Sequence, residues 1–178
     1  MQIIIYGSHY GSTKRYALRL AETTGIEAVT FKETKNLDKY DQIIYMGAIY
    51  AGGVMGLKKT AEKLSPNQTL IIVTVGLADP TDSCNIENIR KSIKDSIPSN
   101  LYDESHIFHL RGAIDYKNLN LSHRLLLSMV HSKMSKLPEE ELDAVGKTML
   151  ATYEQTVDFV DFESLETTWS RIKSEVLN

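Results

Sequence analysis

Three short, uninterrupted apolar runs constrain this chain more than anything else in it: Ile3-Ile4-Ile5, Ile43-Ile44-Tyr45-Met46 and Leu70-Ile71-Ile72-Val73. A strand with one wet face alternates in polarity. A strand that is apolar at every position is buried on both faces, as in the middle of a parallel sheet covered by helices. The strands read from these runs are 2–6, 42–47 and 69–76, and two more mixed segments, 27–31 and 106–111, suit the sheet edges. Apolar residues at helical spacing fill the intervals: Ala17, Leu20 and Ala21 within 14–23, Leu57, Ala61 and Leu64 within 54–64, and Ile86, Ile89, Ile93 and Ile97 within 85–97. Only a short helical turn fits at 36–39. Five strands alternating with helices imply an α/β fold, a doubly wound five-stranded parallel sheet with helices on both faces.

Such sheets bind ligands beyond the carboxyl ends of their strands, where the strand order reverses. The loop after the first strand is Ser8-His9-Tyr10-Gly11-Ser12-Thr13, and it opens a helix. First-turn N–H groups have no intrahelical partners, and the helix dipole adds partial positive charge there. Ser8, Ser12 and Thr13 add hydroxyl donors, and Gly11 allows close backbone approach. The combination suits a phosphate monoester held without an obligatory cation. A serine-capped turn with no ligand is the alternative reading. Two other phosphate loops are excluded. Gly7 to Lys14 has three residues between its glycines where a Walker A loop needs four, and its lysine follows the Ser-Thr pair; the G-x-G-x-x-G fingerprint has no glycine at position 9.

The third strand leads into Gly47-Ala48-Ile49-Tyr50-Ala51-Gly52-Gly53, and the fourth into Val75-Gly76-Leu77-Ala78-Asp79-Pro80. The first presents an aromatic ring among small residues, suited to stacking on a planar ligand; alternatively Tyr50 is a surface tyrosine and the glycine pair a connector.

With these loops the chain resembles the flavodoxin family. Ser8-His9-Tyr10-Gly11-Ser12-Thr13 is similar to its T-x-T-G-x-T phosphate loop, with serine for the first threonine and tyrosine for the second. The resemblance covers roughly the first 115 residues. It implies a flavodoxin-like three-layer αβα fold with strand order 2-1-3-4-5, and FMN as cofactor. Residues 8 to 13 would wrap the FMN phosphate, Ala48, Ile49, Tyr50, Ala51 and Gly52 would flank the isoalloxazine, and Gly76, Leu77 and Ala78 would close its other side.

The whole chain reads as one domain, 1–178, with a helical insert at about 112–156 before a last helix at 164–177. The turn Gly112-Ala113-Ile114-Asp115-Tyr116, a basic apolar helix after it, and Asp161-Phe162-Glu163 resemble, more loosely, the menaquinone-dependent protoporphyrinogen oxidase branch, where an insert near this position is linked to work with quinone at the membrane. From Arg111 to Leu137 the basic residues are Arg111, Lys117, Arg124, Lys133 and Lys136, against one acid, Asp115. Leu126, Leu127, Val130, Met134 and Leu137 share an apolar helical face, and Arg124, Ser128, His131 and Ser135 form a polar stripe. Such a helix packs on its own sheet, docks a partner, or makes peripheral membrane contact through 121–136.

Composition narrows the function classes. The 178 residues are 42% hydrophobic and 24% charged, with a net charge of −3, which argues against nucleic-acid binding. One cysteine, Cys84, excludes an internal disulfide framework or a multi-cysteine metal site, and reads as a buried or capping residue. His9, His106, His109, His123 and His131 show no metal-ligand spacing, and no nucleophile constellation is visible. Met1 leads directly into a strand and no apolar run is long enough to span a bilayer, so a cytoplasmic protein is expected, with peripheral membrane contact through the insert left open. The chemistry therefore falls to a cofactor, which the flavodoxin resemblance implies is FMN. The expected function is an FMN-binding oxidoreductase, quinone-linked by the looser resemblance. The alternative is an electron-carrier flavodoxin with a redox partner protein and no substrate of its own. Carriers are strongly acidic around the flavin, which a pI near 6.0 and a basic insert fit poorly.

Overall fold

The computed structural model describes residues 1–50 and 52–177. In chain order its strands and helices are β1 (Gln2–Gly7), α1 (Ser12–Thr24), β2 (Ala28–Thr30), β3 (Gln42–Tyr50), β4 (Gly53–Val54), α2 (Leu57–Ala61), β5 (Thr69–Gly76), α3 (Ser83–Ser96), β6 (Ile107–Arg111), β7 (Ala113–Asp115), α4 (Leu121–Met134), α5 (Ala144–Thr152), β8 (Thr156–Asp158) and α6 (Phe162–Glu175). The main sheet runs β2-β1-β3-β5-β6, all parallel, which is the flavodoxin-like order expected from the sequence.

The three apolar runs occupy the centre of the sheet and feed both layers alternately. Ile3, Ile5, Ile43, Tyr45, Leu70 and Ile72 pack beneath α2 and α3 with Leu57, Ile89 and Ile93. Ile4, Ile44, Met46, Ile71, Val73 and Val75 pack beneath α1 and α6 with Tyr16, Ala17, Leu20, Leu165 and Ile172. Successive strand residues face opposite sides, so a run without polar positions demands a helix on each face. Buried Tyr16 ties the second layer together: its hydroxyl donates to the Arg111 carbonyl at 2.8 Å and accepts the Asp161 N–H at 2.8 Å.

Two local expectations are corrected. The third strand does not stop at residue 47. It continues to Tyr50 and returns as β4, pairing Ile49 with Val54 and Tyr50 with Gly53. The helix read from 54 therefore starts only at Leu57, after Gly56, whose φ of +77° ends the extended chain. The turn at 36–39 is a short 3-10 turn, Leu37–Lys39.

The segment 112–156 is closed at its base by an antiparallel ribbon, β7 against β8, with α4 and α5 between. Glu139–Glu141, after Pro138, form a 3-10 turn, and α5 begins at Ala144, its first turn capped by the Asp143 side chain accepting the Gly146 N–H at 2.7 Å. No helix among the described residues is long and apolar enough to cross a membrane.

Candidate functional site

The phosphate-type loop joins β1 to α1. Gly11 stands at the head of α1 with φ +100°, a left-handed conformation that glycine adopts without strain, and no side chain caps the helix. Within the turn the Gly11 N–H donates to Ser8 Oγ at 3.2 Å. Ser12 Oγ is drawn away toward the insert, accepting the Ala113 N–H at 3.0 Å. Thr13 Oγ1 is the exception: the residue is 1% exposed and its hydroxyl has no partner. A buried, unpaired hydroxyl beside an uncapped helix N-terminus is a costly arrangement unless a ligand completes it.

The loop after β3 is the tip of the β3-β4 hairpin. It carries Tyr50 and is anchored on α3 by Ser92 Oγ donating to the Gly52 carbonyl at 2.6 Å. The loop after β5 is held from two sides. Arg111 donates through Nε and Nη2 to the Leu77 carbonyl at 3.2 and 3.0 Å, its guanidinium lying 3.7 Å over the Phe159 ring; Asn85 Nδ2 donates to the Asp79 carbonyl at 3.1 Å.

These three loops meet on one cavity of about 440 Å³, within the range of small-molecule and cofactor sites. Ser8, His9, Tyr10, Ser12, Thr13, Ala48, Ile49, Tyr50, Gly52, Gly76, Leu77 and Ala78 all line it. Gly11 shapes the turn between lining residues, and Ala51 lies outside the described residues. Among the described residues no Asp, Glu, Lys or Arg lines the cavity, so an anion there would rest on backbone N–H groups and hydroxyls.

Sequence reasoning missed the roof. Leu126, Leu127 and Val130 of α4 and Val145 and Met149 of α5 line the same cavity. For the α4 residues the signal was its apolar face, but nothing local said that this face covers the switch point rather than the sheet; the α5 residues gave no signal of their own. His123, read as an isolated histidine, also lines it, its Nε2 lying 2.5 Å from the Tyr50 hydroxyl. The stripe read as polar is not simply solvated. Arg124 donates to the Tyr116 carbonyl at 3.2 Å, and His131 stacks on Tyr153 at 3.7 Å. The exposed side of α4 instead carries Leu121, Leu125 and Met129, at 83%, 63% and 64% exposure. Cys84 is exposed rather than buried.

Half-buried His109, on β6, also reaches the cavity. Its Nδ1 lies 2.7 Å from the Thr74 hydroxyl and its Nε2 has no partner. Burial, assisted by the Arg90 charge, lowers its pKa to about 4, so the ring is neutral at pH 7. His106 instead faces Asp103, and no group of metal-binding side chains occurs among the described residues.

The model of the flavodoxin domain family matches residues 3–141. The chain belongs to this family. In this flavodoxin domain the match spans the five parallel strands and runs through α4. Among solved structures, a candidate flavoprotein from Bacteroides eggerthii is similar at 15% identity, with 72% of this chain and 96% of that chain covered and a TM-score of 0.44. The flavodiiron protein of Giardia intestinalis is similar at 16% identity over 84% of this chain, with a TM-score of 0.38, and this flavodoxin domain spans 36% of that longer chain. No curated protein matches the sequence.

Proposed function

We propose that this flavodoxin domain binds FMN non-covalently and serves as an oxidoreductase that passes electrons to an acceptor of the quinone class. The observation that carries the reading is the meeting of the three loops with the apolar roof of the insert on one cavity. The α1 N-terminus and Thr13 Oγ1 would hold the phosphate, satisfying an orphaned hydroxyl. Ala48, Ile49, Tyr50 and Gly52 on one side, and Gly76, Leu77 and Ala78 on the other, would bracket the ring system. The chemistry supplied there when FMN is bound is reversible transfer of one or two electrons. The chain's own residues bind, orient and exclude water. Leu126, Leu127, Val130 and Met149 form an apolar roof beside the ring-binding loops, where an apolar acceptor would fit.

An enzyme with its own acceptor is favoured over a carrier because no carboxylate lines the cavity among the described residues, and an uncharged lining does not disfavour the anionic reduced flavin as an acidic one would. The outward stripe of Leu121, Leu125 and Met129, close in sequence to Lys117, Lys133 and Lys136, supports peripheral contact with an anionic membrane, where quinones reside.

The first test is the absorption spectrum of the purified protein, with extraction and identification of bound flavin. Stoichiometric FMN in the wild type, lost in a folded Gly11→Asp variant, supports the site; a colourless protein that takes up no added FMN removes the reading. Reduced holoprotein should then be reoxidised rapidly by a soluble quinone, and Leu127→Asp should slow that step. Reoxidation indifferent to Leu127→Asp would sink the quinone assignment while leaving FMN in place.

A further inference from the structure

We propose that His123 is a positioning residue that clamps the phosphate loop and the ring loop to the insert, so that α4 acts as the cap of the flavin site. The inference rests on the FMN reading above and extends it to a residue outside the three loops.

His123 stands in the first turn of α4, where its N–H donates to the Asn120 cap at 2.8 Å. Its ring engages both loops at once. Nδ1 meets the hydroxyl of Tyr10, 113 residues away, and Nε2 lies 2.5 Å from the hydroxyl of Tyr50, 73 residues away. A neutral imidazole has one N–H donor and one bare acceptor nitrogen, and a phenol can play either role, so one ring can satisfy both tyrosines in either tautomer. His9 closes the cluster, with its ring centre 4.7 Å from that of His123 and 4.5 Å from that of Tyr10, and it lies nearly parallel to Tyr50 at 6.1 Å. All four rings line the cavity.

The remaining attachments of α4 are weak. None of its residues is buried, and Leu121, Leu125 and Met129 face solvent. Among the described residues its other ties include Arg124 on the Tyr116 carbonyl, the His131–Tyr153 stack, packing of Met134 against Gly146 of α5, and the apolar side chains that roof the cavity. Tyr116 and Tyr153 both belong to the insert, so they fix α4 within the insert and not onto the sheet. The bonds through His123 are the ones that join α4 to both cofactor loops. With FMN between the loops, they would hold Tyr50 in place and keep the roof closed.

The test compares the wild type with His123→Ala, with the double variant Tyr10→Phe/Tyr50→Phe, and with all three substitutions together. His123 is half-buried at the cavity and lies outside both core clusters, so its loss leaves the core packing intact and folding is retained. FMN release is followed by recovery of free-flavin fluorescence, and the visible circular dichroism of bound FMN reports the ring environment. We expect at least tenfold faster release and an altered flavin signal in His123→Ala. The tyrosine pair should behave the same, and the triple variant no worse, because the three residues act as one unit. Unchanged release and spectrum in a His123→Ala protein that still binds FMN overturn the clamp and leave the FMN reading standing. So do effects that simply multiply. Amide exchange across Leu121–Met134 in the flavin-free protein gives a separate measure. Faster exchange in His123→Ala supports the clamp whether or not FMN binds, and unchanged exchange overturns it.

Discussion

Ser12 Oγ accepts the backbone N–H of Ala113 at 3.0 Å, joining the head of α1 to the base of the insert across 101 residues. The approach is close because Gly112 lies against both Ser12 and Val75; a Cβ there would come within 3.0 Å of the Val75 side chain and 3.5 Å of Ser12. Ser12→Ala leaves the Ala113 N–H without that partner, at an expected cost of about 1–2 kcal/mol. Urea unfolding of the flavin-free variant should show a lower midpoint at unchanged slope.

Thr13→Val should separate stability from binding. The valine keeps the shape and removes a buried hydroxyl that has no partner, so the flavin-free variant should be more stable by about 1 kcal/mol. FMN affinity should fall roughly ten- to a hundredfold, since a hydrogen bond to a charged group contributes about 1.5–3 kcal/mol. Thermal unfolding without flavin and a fluorescence titration with FMN measure the two sides. A variant less stable and binding as well as the wild type would remove Thr13 from the phosphate site.

His109 makes stability depend on pH in a defined window. Its pKa falls from 6.5 to about 4 on folding, chiefly through burial, so the unfolded chain binds the extra proton first as pH drops. Stability is full above about pH 6.5, declines as pH falls toward about 4, and the loss from this group levels off below that. The whole effect is about 3 kcal/mol. Guanidinium unfolding from pH 7.5 to 4.5 should show this slope in the wild type and a shallower one in His109→Gln.

Tyr16→Phe tests the bridge between layers. Its hydroxyl serves the Arg111 carbonyl and the Asp161 N–H, and burial, the main influence, raises its pKa. Removing it strips two backbone groups of a partner, at an expected cost of about 1–3 kcal/mol. The start of α6 should lose protection first in hydrogen exchange.

The central strands were legible because burial on both faces leaves no polar position, and this signal lies within each strand. The loops lining the cavity were legible for a related reason, since topology places every strand's carboxyl end on the same edge. The β3-β4 hairpin was not legible. Its pairing of Ile49 with Val54 and Tyr50 with Gly53 has no signal of its own, while the apolar spacing of Val54, Leu57 and Ala61 fits a helix equally well. The roof was half legible: the apolar face of α4 could be read, its destination could not.

The sequence by itself determined the parallel core, the family and the glycine-bearing, hydroxyl-rich turn at the head of α1, because each is a property of residues adjacent in the chain or recurring at a fixed period. Only the tertiary structure decided that Thr13 is left without a partner, that Ser12 turns to the insert, and that His123 joins Tyr10 to Tyr50. Those relations span up to 113 residues, and they arise when hydrogen-bonding groups on separate loops are brought to one edge of the sheet and must find partners there.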